Sequence, residues 1–255
     1  MASGGECAMV AGPRMKPQIL LAEVTTAEGA RLTLHSHDGR FSIRVNGKEL
    51  MNSAATASEI ALGEMATAEI RRAMPARILI GGLGLGFTLQ GVLSRVGAHA
   101  TVHVAELIPA VVTWNRTHLL GLNGGLLADP RVKVLAEDVR SIIARSAAQP
   151  YDAILLDIDN GPSAMVQSGN AKVYDLRGIQ RIAQALKPGG RVAIWSSGAD
   201  KAFESRLANS GFKVQPTPVK KHATAKSTTY TIYVADKIVP PATAAADGES
   251  GAPVA

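Results

Sequence analysis

The run Gly81-Gly82-Leu83-Gly84-Leu85-Gly86 lies between an apolar segment, RILIGG, and a stretch of helical texture. Glycines in that place let the backbone turn sharply and come close to a ligand. The pattern alone is common to many nucleotide folds. It gains meaning from the acids that follow. Glu106 closes TVHVAEL, 20 residues beyond Gly86, where a carboxylate can accept hydrogen bonds from ribose hydroxyls. Glu137 and Asp138 close VKVLAED, where a carboxylate can receive the exocyclic amine of an adenine. Asp157 closes YDAILLD. Successive strand ends therefore present a glycine loop and carboxylates on one rim, the edge at which open α/β sheets bind ligands. The expected nucleoside-binding set is Gly82, Gly84, Gly86, Glu106, Glu137, Asp138 and Asp157. For Asp138 alone the plainer reading is a helix N-cap.

The expected catalytic groups are Asp157, Asp159 and Tyr174. A carboxylate can orient an amine acceptor and take its proton. Asp157 and Asp159 would point to opposite faces of an extended strand, so both serve only if the chain turns, as Asn160-Gly161-Pro162 suggests. The alternative for Asp159 is an Asx-type turn. Residues 160–173 are small and polar and read as an active-site loop or a plain connection. Tyr174 then either faces the acceptor or begins a packed helix. Trp195 reads as a buried structural residue.

Other chemistries fit less well. No GK[ST] follows the glycines, which excludes a P-loop. The glycine spacing departs from GxGxxG, and the Glu137-Asp138 pair suits an adenine better than a pyrophosphate, so NAD is the weaker cofactor reading. No G-x-S-x-G elbow marks a serine hydrolase. His35 and His37 share one strand face but lack a third ligand, and the single Cys7 makes no zinc site, so no metal is expected.

The elements that position these residues can be read from texture. Strands RILIGG, TVHVAEL, VKVLAED, YDAILLD and RVAIWSS alternate with helical segments at 86–96, 108–120, 138–147, 172–187 and 200–210. That alternation predicts a mainly parallel sheet covered on both faces. Two more strands, near 212–218 and 228–236, are expected to pair antiparallel at its edge. Ahead of the sheet, QILLAEVTT, ARLTLHSHD and RFSIRVNG read as short strands, with Asp38-Gly39 and Asn46-Gly47 as hairpin turns. A helix is expected over 56–74, stopped by Pro75. The expected organisation is a disordered tail at 1–16, a β unit at 17–55, a nucleoside-binding transferase domain at 56–237 and a disordered tail at 238–255.

Composition sets outer limits. The chain has 255 residues, of which 46% are hydrophobic and 19% charged, enough for a packed core. No apolar run reaches membrane-spanning length and no leader stands at the start, so a cytoplasmic protein without membrane association is expected. The net charge is +6, but aromatics make up only 4%, which leaves few stacking platforms and makes nucleic acid an unfavoured partner. Lys213, Lys220, Lys221 and Lys226 form a basic cluster suited to an acidic acceptor or simply to solvent.

From Ala57 to about Asp236 the chain resembles the spermidine synthase-like branch of the class I S-adenosylmethionine-dependent transferases. The residues that carry the resemblance are RILIGGLGLGFTL, VHVAEL, VKVLAEDVRSII, YDAILLDIDNGP and LKPGGRVAIWS. It implies a Rossmann-like, seven-stranded α/β methyltransferase sandwich whose final strand pair is reversed, preceded by a small antiparallel β unit. It implies a sulfonium nucleoside, S-adenosylmethionine or its decarboxylated form, with the glycines at its amino-acid end, Glu106 on its ribose and Asp138 on its adenine. It also makes a homodimer an expectation. The acceptor side departs from the family. Spermidine synthases carry two aspartates three apart, and here these positions hold Asp157 and Asn160, with Asp159 between them. The family's Tyr-His pair falls on Leu62 and Gly63. Because the polyamine pocket is altered, methyl transfer to a small, amine-type acceptor is the expected reaction. Aminopropyl transfer is the alternative, and a nucleoside-binding protein without turnover is the third reading.

Overall fold

The computed structural model describes residues 17–158, 162, 171–220 and 230–239. Asp159, Asn160, Gly161, His222, Lys221, Lys226 and the tails at 1–16 and 240–255 lie outside the described residues. The chain begins with an antiparallel meander of β1 (Ile19–Thr25), β2 (Arg31–His37), β3 (Arg40–Val45) and β4 (Lys48–Asn52). Two of its turns follow directly from residue type. Asp38-Gly39 and Asn46-Gly47 all have positive φ, between 47° and 81°, the backbone that two-residue hairpins with type I′ geometry require. The second of these turns leads into β4, a fourth strand that the sequence reading did not name.

The main sheet has the order β10-β11-β9-β8-β5-β6-β7. Its strands are β5 (Ala76–Gly81), β6 (Ala100–Ala105), β7 (Val132–Leu135), β8 (Tyr151–Leu156), β9 (Leu186–Ser196), β10 (Phe212–Val219) and β11 (Tyr230–Lys237). β5 through β9 run parallel. β11 inserts antiparallel between β9 and β10. The last two strands therefore pair antiparallel as expected, but only β11 opposes the rest. The chain builds outward from β5 to β7 and then returns to β5's other side with β8. The switch point lies between β5 and β8, where the crevice of a doubly wound sheet opens.

Alternation along the strands divides the core. Ile78 and Ile80 of β5 face one side, with Ala153 and Leu155 of β8, while Leu79, Ile154 and Leu156 face the other. The first side is covered by α1 (Ala57–Ala66), α2 (Phe87–Arg95) and α3 (Pro109–Arg116). Leu32, Leu34 and Ile43 of the N-terminal meander join that same cluster, so the small sheet is packed onto the domain through shared apolar surface. The second side is covered by α5 (Val139–Arg145), α7 (Leu176–Ala185) and α8 (Lys201–Asn209). Two short helices, α4 (Leu120–Asn123) and α6 (Ala171–Tyr174), complete the set.

Three helices are shorter than their sequence texture suggests. The expected helix over 56–74 stops at Ala66. There the Thr67 hydroxyl donates to the Gly63 carbonyl at 2.7 Å, and Arg191 donates to the Met65 carbonyl at 2.9 Å. The carbonyls of the last turn are thus satisfied from outside the helical ladder, and separate turns follow. The segment at 172–187 breaks at Asp175, whose carboxylate caps α7 by accepting from the Gly178 amide at 2.7 Å. The segment at 108–120 ends at Arg116, and α4 follows as a separate turn. Among the described residues no helix is long and apolar enough to cross a membrane.

Candidate functional site

The glycine loop is fixed at the switch point by three strand ends. The Gly82 amide donates to the Ala105 carbonyl and the Asp157 amide to the Gly81 carbonyl, each at 2.9 Å. Gly82 has φ +94°, and a Cβ on it would lie 2.3 Å from the Asp157 carbonyl oxygen. Only glycine satisfies both the backbone angle and that close approach. A buried asparagine relay holds the far side of the loop. Asn115 of α3 donates to the Gly84 carbonyl at 2.8 Å, and Asn123 donates in turn to Asn115 at 2.8 Å.

Glu106 is only 8% exposed. One of its oxygens accepts from the Leu83 amide at 3.0 Å and the other from the Ile108 amide at 2.8 Å. Burial pushes its carboxyl above the usual range, while these amides and those of Gly84 and Leu107 pull the other way. Its two oxygens thus tie the glycine loop to the end of β6. Asp138 caps α5 through the Arg140 amide at 2.8 Å, and Arg140's guanidinium closes on its carboxylate. Burial pushes this carboxyl up, but the Arg140 side chain and amide together hold it below the ordinary range. Glu137 beside it is more exposed and paired with Arg145 at 2.7 Å.

Asp157 is enclosed at the end of β8. Its Oδ2 accepts a hydrogen bond from the Thr88 hydroxyl of α2 at 2.6 Å. Burial raises its carboxyl pKa above the ordinary aspartate value, and the Thr88 hydroxyl opposes that shift.

Around these groups two cavities meet. The first, of about 160 Å³, is lined by Gly82, Gly84, Glu106, Glu137, Asp138 and Asp157, with apolar walls that include Ile108 and Ile158. Six of the seven sequence-derived nucleoside residues therefore come together. Gly86 does not line this cavity; it ends the loop at φ +93° and begins α2. The second cavity, of about 250 Å³, shares Leu50, Met51, Gly84 and Asp157 with the first. Glu49, Glu59, Trp195 and Tyr230 also line it. Asp157 stands where the two cavities join.

The remaining expectations fare differently. Tyr174 is 3% exposed, packs edge-on against Phe203 and lines neither cavity; its hydroxyl donates to the Ile158 carbonyl at 3.5 Å. It is a packed residue, and it ends α6 rather than beginning a helix. Trp195 corrects the sequence reading in the other direction. It is half-buried at the second cavity, 4.7 Å from the Tyr230 ring, with its indole N–H buried and without a hydrogen-bond partner among the described residues. His35 shares a hydrogen bond with the Thr33 hydroxyl at 3.0 Å, away from both cavities. Glu49, Glu59, Thr88, Asn115 and Tyr230 escaped the sequence reading. Thr88 falls inside the glycine-loop motif RILIGGLGLGFTL with no role assigned to it there, and the other four lie outside that loop and outside the carboxyl ends of the parallel strands.

Asp138 gives a direct check on whether the first cavity takes a nucleoside. Asp138→Ala is expected to cost roughly 1 kcal/mol of stability through the lost cap. It should also weaken 5′-methylthioadenosine about tenfold, the worth of one hydrogen bond to a charged group. Asp138→Asn keeps the cap and isolates the second effect. Calorimetric titration and thermal melting read the two separately, and unchanged affinity in both variants would remove Asp138 from the site.

No family model matches the chain. Among curated proteins it is similar to polyamine aminopropyltransferase 2 of Pseudomonas aeruginosa, with 35% identity over 124 residues, covering 47% of this chain and 33% of that protein. It is similar to the polyamine aminopropyltransferase of Mycobacterium tuberculosis at 31% over 119 residues, covering 46% and 22% respectively. The Korarchaeum cryptofilum polyamine aminopropyltransferase shares 26% over 155 residues, covering 60% and 44%. The alignment thus spans only about a third of the first relative's own length. Among solved structures, a spermidine synthase from Thermotoga maritima superposes with a TM-score of 0.65 at 16% identity, covering 86% of this chain and 72% of that one. A spermidine synthase in complex with the transition state analogue AdoDATO gives 0.64 at 15% identity, with the same coverage. These likenesses identify the fold as that of spermidine synthases.

Proposed function

We propose that this spermidine synthase-like chain is an aminopropyltransferase, moving the aminopropyl group of decarboxylated S-adenosylmethionine to a small amine. The observation that carries the reading is the second cavity. Glu49, Glu59 and Asp157 line it, and among its described residues there is no lysine or arginine. A cavity of that sign attracts ammonium groups and repels a carboxylate, which suits a donor that has lost its carboxyl group and an acceptor that is a cation in water. The Trp195 and Tyr230 rings add faces on which a cationic stem can rest. The curated relatives point the same way. Methyl transfer, the expectation drawn from the altered acceptor residues, loses its support, because Glu49 and Glu59 supply acidity that the sequence comparison did not count.

The sulfonium of the bound donor supplies the electrophilic carbon. The first cavity suits its nucleoside end: Glu106 lines it toward the ribose, and Asp138 lines it toward the adenine amine. Asp157 lies at the junction, where the acceptor nitrogen must approach. An ammonium has no lone pair, so it must lose a proton before it attacks. Oδ2 of Asp157 is held by Thr88, which leaves Oδ1 to take that proton. Burial raises the carboxyl's proton affinity and makes it a stronger base than a solvent-exposed aspartate. The nitrogen–carbon bond forms as the carbon–sulfur bond breaks, and 5′-methylthioadenosine leaves with the bond's electron pair. The walls of both cavities hold the partners in line and keep water out.

The test is parallel calorimetric titration with S-adenosylmethionine, its decarboxylated form and 5′-methylthioadenosine, followed by turnover with linear diamines. The decarboxylated donor is expected to bind more tightly than the carboxylated one and to release 5′-methylthioadenosine in the presence of an amine. Tighter binding of S-adenosylmethionine, with S-adenosylhomocysteine as the product, would overturn the reading in favour of methyl transfer. Nucleoside binding with no turnover on any amine would leave a binding protein instead.

A further inference from the structure

The acceptor cavity is acidic, yet the whole chain carries a net charge of +6. Part of that surplus is gathered at one place remote from the site. A cleft of about 340 Å³ opens against the face of the sheet that α5 covers. Arg77 of β5, His103 of β6, Lys133 of β7 and Arg145 at the end of α5 line it, together with the hydroxyl-bearing Ser146 and Tyr151. No aspartate or glutamate lines it among the described residues.

The register of the parallel strands builds this cluster. His103 and Lys133 are direct neighbours across β6 and β7, and Tyr151 opens β8 on the far side of β5. Arg77 lies over the Tyr151 ring, 4.9 Å from its centroid. His103 meets the same ring edge-on and its Nδ1 lies 2.8 Å from the Tyr151 hydroxyl. One neighbouring carboxylate is engaged elsewhere, and the other neutralises Arg145. Asp152 holds the Arg77 backbone amide and the Lys187 ammonium, and Glu137 pairs with Arg145 from outside the cleft. Burial lowers the His103 pKa, and the positive charges of Arg77 and Lys133 lower it further.

We propose that this cleft is a binding site for a small phosphate-type dianion, either inorganic phosphate or a phosphate monoester. The donors left for it, Arg77, His103 and Lys133, come from three adjacent strands and converge on one cleft. A guanidinium is suited to phosphate oxygens by its planar fork, and an ammonium adds a point charge. Convergence also argues against a nucleic-acid backbone, which needs charges spaced along a stripe. The site does not depend on the transferase reading, since it shares no lining residue with the acceptor cavity.

The experiment uses the full chain. Inorganic phosphate, a simple alkyl phosphomonoester, chloride and a short single-stranded oligonucleotide are titrated in parallel at constant ionic strength. Calorimetry and the imidazole NMR resonance of His103, assigned through His103→Gln, are the readouts. Saturable binding of phosphate or the monoester is expected, with a shift of the His103 resonance, and the tighter of the two identifies the source. Lys133 is exposed, so Lys133→Gln is expected to fold normally and to weaken binding about tenfold. The proposal is overturned if phosphate and monoester give no more response than chloride. It is equally overturned if binding survives Lys133→Gln unchanged, or if only the oligonucleotide binds.

Discussion

Asp157→Asn is expected to lower turnover by about a hundredfold to ten-thousandfold, the usual contribution of a positioned general base. Binding of 5′-methylthioadenosine should change little, because the proposed nucleoside contacts are mainly Glu106, Asp138 and the glycine loop. The amide keeps an oxygen for the Thr88 hydroxyl, so the local geometry is preserved. Stability should move in the opposite direction to activity. Burial raises the Asp157 pKa in the folded protein above that of the unfolded chain. The unfolded chain therefore loses this proton first as pH rises. The stability linked to the protonated group is complete below the ordinary aspartate pKa and is lost as pH rises through the raised one. At neutral pH the wild-type protein carries that loss and the Asn variant does not. Thermal melting across pH should show the variant equal to or more stable than wild type above the ordinary carboxylate range. Retained turnover would remove Asp157 from the mechanism. A variant less stable than wild type at neutral pH would show that the ionised carboxylate is compensated in a way that Thr88 alone does not provide.

Restoring the family histidine by Gly63→His is expected to destabilise the fold and lower activity rather than improve it. A Cβ on Gly63 would meet the Thr88 carbonyl oxygen and the Val92 amide nitrogen of α2, each at 2.6 Å. From the other side, a Cβ on Gly91 would meet the Ile60 carbonyl at 2.4 Å. The two helices cross backbone to backbone through this pair of glycines. Gly63→Ala is the informative control because two effects oppose each other. Helix propensity favours alanine by about 1 kcal/mol. Forcing extra atoms into a closed contact costs about 1–3 kcal/mol, and here the obstacle is backbone, which cannot swing away. Packing should win, so the urea midpoint should fall for Gly63→Ala and fall further for Gly63→His. Turnover should drop as well, because separating the helices moves Thr88 away from Asp157. An unchanged midpoint for Gly63→His would mean that α1 and α2 have room to part and that the family pocket can be rebuilt.

The lining of the first cavity was legible in the sequence because its residues sit at the ends of consecutive strands. Parallel pairing between β5 and its neighbours brings those ends to one edge whatever the details of the helices. Local patterning was also enough for the type I′ turns at Asp38-Gly39 and Asn46-Gly47, where residue type and positive φ are directly linked. The helix over 56–74 was overread because the groups that end it, the Thr67 hydroxyl and the distant Arg191, act through tertiary hydrogen bonds. Gly63 was read as a lost histidine; in the folded chain it is a contact point between two helices.

The acceptor side belongs to the tertiary structure. Glu49 comes from the N-terminal meander, Glu59 from α1, Trp195 from the end of β9 and Tyr230 from the start of β11, and only packing brings them into one cavity. Their sequence separation leaves no periodicity or spacing to find. Sequence alone determined the alternating α/β architecture, the glycine turn and the carboxylates at the strand ends, because each follows from short-range geometry. The tertiary structure decided the sign of the second cavity, the burial that raises Asp157, the packing of Tyr174 against Phe203 away from both cavities and the cationic cleft around Tyr151. Charge, burial and enclosure are properties of surfaces assembled from distant segments, and they exist only once those segments have packed.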